Sequence, residues 1–175
     1  MNIYDYLEKA IKELQSFYDE FKNLDHKRKV FACDFFCWIK KKTRMIMEEG
    51  SFSKPEDVEI KRGHVFWIDF GVNIGEEFGG RHPGIILRKG GNTVVVVPLS
   101  TQTPTKKQEE SGTYVKVDRV YGFKKKTRWV NVLNVMPISI QRIDFGSSTG
   151  DVKGYVLDEI AKALKCSGVL GKNPP

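Results

Sequence analysis

Nowhere does the chain hold an apolar run approaching the roughly 20 residues that a membrane-spanning helix needs. Its first residues alternate charged and apolar side chains where a secretion signal would be basic and then apolar. A cytoplasmic protein with no membrane contact is expected. Cysteine is scarce as well: Cys33, Cys37 and Cys166 are odd in number and lack CxxC spacing, which argues against a disulfide framework and against a zinc knuckle. Cys33 and Cys37 stand four apart, share one helical face and supply at most half a metal site, so buried free thiols are the plainer expectation. Neither a metal nor a cofactor is called for.

What is abundant is positive charge, and it is unevenly placed. The net charge is +7, yet residues 1–59 carry 11 Lys and Arg against 12 Asp and Glu, whereas residues 60–175 carry 18 against 10. The C-terminal part is therefore the one suited to a polyanion, although a merely solubilising basic surface gives the same count.

The 175 residues suffice for a barrel of about 110 residues with a helical appendage. Ile3, Leu7, Ala10, Ile11, Leu14, Phe17, Phe21 and Leu24 recur at three- and four-residue steps, with Asn2 as cap and Asp5 in the first turn, which predicts an amphipathic helix. A second helix is predicted from about Val30 to Glu48, after a polar break at residues 25–29. Its load of Phe31, Phe35, Phe36, Trp38 and Ile39 exceeds what one exposed face carries, so residues 1–49 are read as a hairpin packing on itself and on the barrel or a second chain. Residues 50–59 have linker composition. From residue 60 onward strand-like runs at His64–Phe70, Gly84–Arg88, Thr93–Leu99, Thr113–Val117 and Trp129–Met136 follow at short spacing, with Asp151–Lys165 as a closing helix. This makes residues 60–168 a mainly β, α+β domain with a compact antiparallel barrel, and leaves 169–175 as a fraying tail.

The run KRGHVFWIDFGVNIGEEFGGRHPGIIL, from Lys61 to Leu87, resembles the opening of MazF/PemK toxins, where a glycine-rich loop ends on an Arg-Pro pair. VVVVPLSTQ, from Val94 to Gln102, is similar to the second landmark of that family, a hydrophobic strand ending in a small hydroxyl residue, and the YGF at residues 121–123 has counterparts too. The resemblance spans residues 60–168. It implies an SH3-like barrel of the CcdB/MazF type, metal-independent cleavage of single-stranded RNA (mRNA) at short motifs, a homodimer, and neutralisation by a cognate antitoxin.

Such cleavage requires a base for the ribose 2′-OH, an acid for the leaving 5′-oxygen and donors for the phosphorane charge. The family arginine before the loop proline is replaced here by His82, either a general acid or base or an idle loop histidine. Arg81 stands one place earlier. Neighbours on an extended chain point to opposite sides, so Arg81 takes over the family arginine's phosphate contact only if the loop turns differently. Ser100 occupies the position of the family's catalytic hydroxyl, followed by Thr101 and Gln102; all three also suit an ordinary strand end. Glu77 matches a loop glutamate of the family, while for Glu76 a solvated loop acid is as good a reading as a functional one. Where some members carry an acid in the next strand, this chain has Asn131 and Asn134. Lys124, Lys125, Lys126 and Arg128, with Lys106 and Lys107, are placed to meet phosphates or simply to face water. Trp67 and Trp129 either stack bases or fill core. The rival reading on the same barrel is a non-catalytic nucleic-acid-binding or regulatory module. A further possibility is that the helical segment masks the site in cis.

Overall fold

A computed structural model describes residues 2–169; residues 170–175, the rest of the expected tail, lie outside that range. The chain divides into two compact units, residues 1–50 and 51–175.

The first unit is a helical hairpin of α1 (Ile3–Phe21) and α2 (His26–Met47). Asn2 caps α1 by accepting from the Tyr4 amide, and its side chain donates to Asp5, as its place before the periodic stretch predicts. Asp25 caps α2 by accepting from the Arg28 amide, so most of the expected polar break is the first turn of the helix. Phe17 joins the two helices: its ring lies 4.4 Å from Phe21, 4.6 Å from Phe35 and 5.5 Å from Phe36. Cys33 and Cys37 are exposed free thiols, as is Cys166, which corrects the expectation of burial; four-residue spacing sets them on one face, and that face is turned to solvent.

The second unit is built on a curled antiparallel sheet. Its strands are β1 (His64–Asp69), β2 (Arg81–Gly90), β3 (Thr93–Pro98), β6 (Met136–Ser139) and β7 (Ile143–Asp144), in the order β6-β3-β2-β1-β7, with β8 (Gly150–Asp151) also on β1. A two-stranded sheet of β4 (Tyr114–Val117) and β5 (Arg128–Asn131) lies beside it. A short helix α3 (Lys106–Glu110) opens with a capping box from Thr105 and Gln108. The closing helix α4 (Gly154–Cys166) buries Val156, Ile160 and Ala163.

Both faces of the main sheet are covered, which is why its central strands read as continuous apolar runs and not as strict alternation. Val65, Ile85, Val97 and Leu99 belong to one core with β4, β5 and α4; Phe66, Ile68, Ile86, Val94 and Val96 belong to a second core on the other face. Phe52 and Val58, from the segment of linker composition, pack on that second core. The expected strand Trp129–Met136 is broken: a 3-10 turn at Val132–Asn134 separates β5 from β6, and Asn131 caps it by accepting from the Leu133 amide. Asn there satisfies a turn amide that a strand would have left to a neighbour. The fold is thus mixed α+β: a half-barrel of antiparallel strands with N-terminal helices and a C-terminal helix. Among the described residues no helix is long and apolar enough to cross a membrane.

Candidate active site

The β1–β2 connection, residues 70–80, positions the site. Its neck is closed by two bonds, Phe70 N–H to the Gly80 carbonyl at 2.8 Å and Gly80 N–H to the Gly71 carbonyl at 2.6 Å. Both glycines sit at positive φ, 85° for Gly71 and 79° for Gly80, which a side chain would strain. Within the loop the Asn73 amide donates to the Phe78 carbonyl at 2.7 Å. Phe78 is thereby held over the strand start, where its ring meets His82 edge to face at 4.8 Å.

Arg81 and His82 are regular strand residues, paired across β1 with Asp69 and Ile68, so they leave opposite faces of the sheet. The loop does not turn in the way that would let Arg81 replace its neighbour. Arg81 Nη2 donates to Asp144 Oδ2 at 2.6 Å and to Ser147 Oγ at 2.7 Å, and its guanidinium lies 4.6 Å from the Trp67 ring. His82 is half-buried on the other face, and that burial, with no nearby charge invoked, pushes its imidazole pKa below the ordinary value.

The β2–β3 register pairs Gly84 with Pro98, and the Leu99 amide still donates to the Pro83 carbonyl at 2.8 Å. Beyond that bond the β2–β3 ladder ends. There Ser100 turns away to pair with Trp129, and its Oγ accepts from the Gln102 amide at 3.0 Å, which leaves the hydroxyl proton to be donated elsewhere. A cavity of about 350 Å³ opens at this point, with Glu76, Phe78, Ser100, Gln102, Trp129 and Asn134 among its lining residues. Asn131 also borders it and donates to the Tyr114 hydroxyl at 3.4 Å. Thr101 is exposed and does not line the cavity. Glu76 is exposed and also lines the cavity, whereas Glu77 accepts from the Ile74 amide at 3.3 Å and borders a neighbouring cavity.

The basic side chains divide as well. Lys124, Lys125 and Lys126 are exposed, and so are Lys106 and Lys107 on α3. Arg128 is only 6 % exposed; it donates to the carbonyls of Lys126 and Lys124 at 3.1 and 3.5 Å and lies 5.6 Å from the Phe123 ring. Its guanidinium therefore shapes the lysine loop and is not open to a phosphate. Phe123 in turn stacks on Trp67 with planes 12° apart and centroids 6.0 Å apart, which continues the stack to Arg81.

Sequence reasoning missed Asp144, Ser147, Phe78 and Arg142. The last lines the neighbouring cavity and donates to the Phe70 carbonyl at 3.2 Å. None lies within the motifs that drew attention except Phe78, whose aromatic character in a polar glycine-rich loop was the available signal. Among the described residues no three His, Cys, Asp or Glu side chains gather as metal ligands.

The half-barrel has counterparts among solved structures. MazF (form I) from Deinococcus radiodurans superposes with a TM-score of 0.50 at 17 % identity over 65 % of this chain and 97 % of its own. The Mycobacterium tuberculosis toxin MazF-mt6 gives 0.45 at 18 % over 61 % and 95 %. A MazE-MazF structure (form II) from Deinococcus radiodurans gives 0.45 at 18 % over 65 % and 96 %. No curated protein sequence matches. A family model described as PemK-like, MazF-like toxin of type II toxin-antitoxin system matches residues 61–167, more than half of the chain and all of the site built above, and the chain belongs to that toxin family.

Proposed function

We propose that this toxin is an endoribonuclease that cuts single-stranded RNA at short motifs without a metal ion. The observation that carries the proposal is the polar cavity lined by Ser100 and Gln102 and walled by Phe78, whose ring meets His82 edge to face.

An imidazole whose pKa is lowered by burial is neutral near pH 7 and able to take a proton. His82 removes the 2′-OH proton, O2′ bonds to phosphorus, and the bond from phosphorus to O5′ breaks. The products are a 2′,3′-cyclic phosphate and a 5′-hydroxyl, whose proton comes from the imidazolium just formed or from water. The Ser100 hydroxyl, free to donate, stabilises charge on the phosphorane oxygens. Gln102 supplies a further amide to the RNA, and Glu76 stands where a second proton carrier is useful. Arg81, on the far face and held by Asp144, is outside the proton-transfer step; with Lys124, Lys125 and Lys126 it adds positive potential for the RNA backbone. The active form is a cytoplasmic homodimer, and a cognate antitoxin neutralises it; the MazE-MazF neighbour supports such pairing for the family.

Incubation of the full chain with a long single-stranded RNA in excess chelator tests the reading. Discrete fragments ending in cyclic phosphate, lost in His82→Ala, are expected. A mobility shift with intact RNA would overturn it in favour of a non-catalytic binding module.

A further inference from the structure

We propose that the N-terminal hairpin docks on the same hairpin of a second copy of this chain, so that α1 and α2 of both copies form a four-helix bundle. The inference is independent of the RNA-cleavage reading. It concerns the unit of residues 1–50, which lies outside the family match at residues 61–167.

α1 carries two heptad seams, and a two-helix hairpin can use only one of them. The first, Ile3, Leu7, Ala10, Leu14, Phe17 and Phe21, alternates steps of four and three, and its Phe17 and Phe21 rings meet Phe35, Phe36 and Phe31 of α2. The second, Tyr4, Leu7, Ile11, Leu14 and Tyr18, has the same steps and adjoins the first around the helix. The hairpin leaves this seam open: Tyr4, Leu7, Ile11 and Tyr18 are between 49 and 59 % exposed, and no residue of α1 is buried. Two adjoining seams are what a helix at the corner of a bundle needs, since it packs on two neighbours at once.

The open area is of the right size. Half of a large apolar side chain is on the order of 100 Å². The second seam, with Ile3 at 82 % exposure and Met47 of α2 at 80 %, reaches roughly the 800 Å² that each partner gives to a stable interface. Charge decides the occupant. α1 has five acids and two bases, whereas α2 has seven bases and one acid, nets of −3 and +6. A twofold pair that sets α1 of one copy beside α2 of the other meets opposite charge at both new contacts, and a second copy supplies both signs in the required order. The register follows from the hairpin itself. Phe17 is level with Phe35, and Phe21 with Phe31. Continued along the helices, that register sets Glu8 level with Arg44; both are exposed, so Glu8 of one copy falls beside Arg44 of the other.

Sedimentation equilibrium of the full chain tests the pairing. Ile11→Lys/Tyr18→Lys alters the second seam alone and should raise the dissociation constant for self-association by roughly 100-fold or more, because twofold symmetry removes four apolar side chains from the interface. Unchanged helical circular dichroism in that variant confirms the hairpin. At low salt Glu8→Arg and Arg44→Glu should each weaken self-association by roughly 10-fold, since each homodimer then holds two like-charge pairs. An equimolar mixture of these two variants should recover wild-type association, because the mixed dimer restores both opposite-charge pairs, whereas a contact within one chain is not mended by mixing. A seam variant that self-associates as tightly as wild type, or a mixture no tighter than its components, overturns the proposal; a hairpin built to hold a different protein gives those two results.

Discussion

Arg81 Nη2 and Asp144 Oδ2 lie 2.6 Å apart, joining the start of β2 to the strand on the far side of β1. The Arg81 guanidinium, together with Ser147 Oγ and the Gly146 amide, holds the Asp144 carboxyl below its ordinary range. A depressed carboxyl pKa adds stability that is present above the unfolded value of about 3.9 and disappears as pH falls through the folded value. Both side chains are more than a third exposed, so the effect is small. Asp144→Asn should cost no more than about 1 kcal/mol at pH 7, and urea unfolding followed from pH 7 to pH 3 should show the difference from wild type shrinking below about pH 4. A constant difference across that range would show that the loss is one of packing.

His82 gives the activity its pH dependence. Burial disfavours the imidazolium, so the inflection in kcat/KM should fall on the acid side of the usual value of about 6.5. As a base, His82 works when unprotonated, and the rate should climb with pH through that inflection. His82→Ala should lower the rate by roughly 100- to 10,000-fold with RNA affinity nearly intact. His82→Arg restores the family residue but removes the titrating group; a variant as active as wild type, with flat profiles in both, would exclude the imidazole as base.

The architecture was legible where one physical cause dominated. The step from a period near 3.6 to short punctuated strands placed both helices and most strands, because burial of a stripe or a face leaves that mark directly in sequence. Failures occurred where tertiary context decided. β2 starts at Arg81 and not at Gly84, because Asp69 and Ile68 provide partners that the loop residues cannot reveal. β5 ends at Asn131, because an Asn cap competes with the strand ladder. The motifs named His82, Ser100 and Gln102, of which Ser100 and Gln102 line the same cavity. They could not show that Arg81 is drawn to the opposite face by Asp144, a residue 63 positions away, or that Arg128 alone of the basic run is buried.

Phe17 is the hinge of aromatic packing in the hairpin, touching Phe21, Phe35 and Phe36. Phe17→Ala removes all three contacts, and because the ring is only half-buried the loss should be below the 3–5 kcal/mol of a full core truncation, at roughly 2 kcal/mol. Helical circular dichroism followed on heating should show an earlier transition in the variant.

The basic run from Lys124 to Arg128 should separate into two kinds of residue. Each exposed lysine that meets a phosphate releases counterions on binding, so Lys124→Ala, Lys125→Ala and Lys126→Ala should each weaken RNA binding for every sequence. Each should also reduce the slope of log affinity against log salt by up to about 0.7, the single-strand value per contact. Arg128 obeys a different rule. Its guanidinium satisfies the Lys124 and Lys126 carbonyls and rests on Phe123, so Arg128→Ala leaves both carbonyls without that donor and empties the position over the ring. That change should cost roughly 2–4 kcal/mol in urea unfolding, from lost charged hydrogen bonds and the cation–π contact together. Arg128→Lys keeps the charge but not the planar fork, and should recover little of it. If Arg128→Lys instead restored stability in full, charge alone would account for the position. If Arg128→Ala reduced the salt slope without loss of stability, Arg128 would be a phosphate ligand after all, and the carbonyl contacts would have to open when RNA binds.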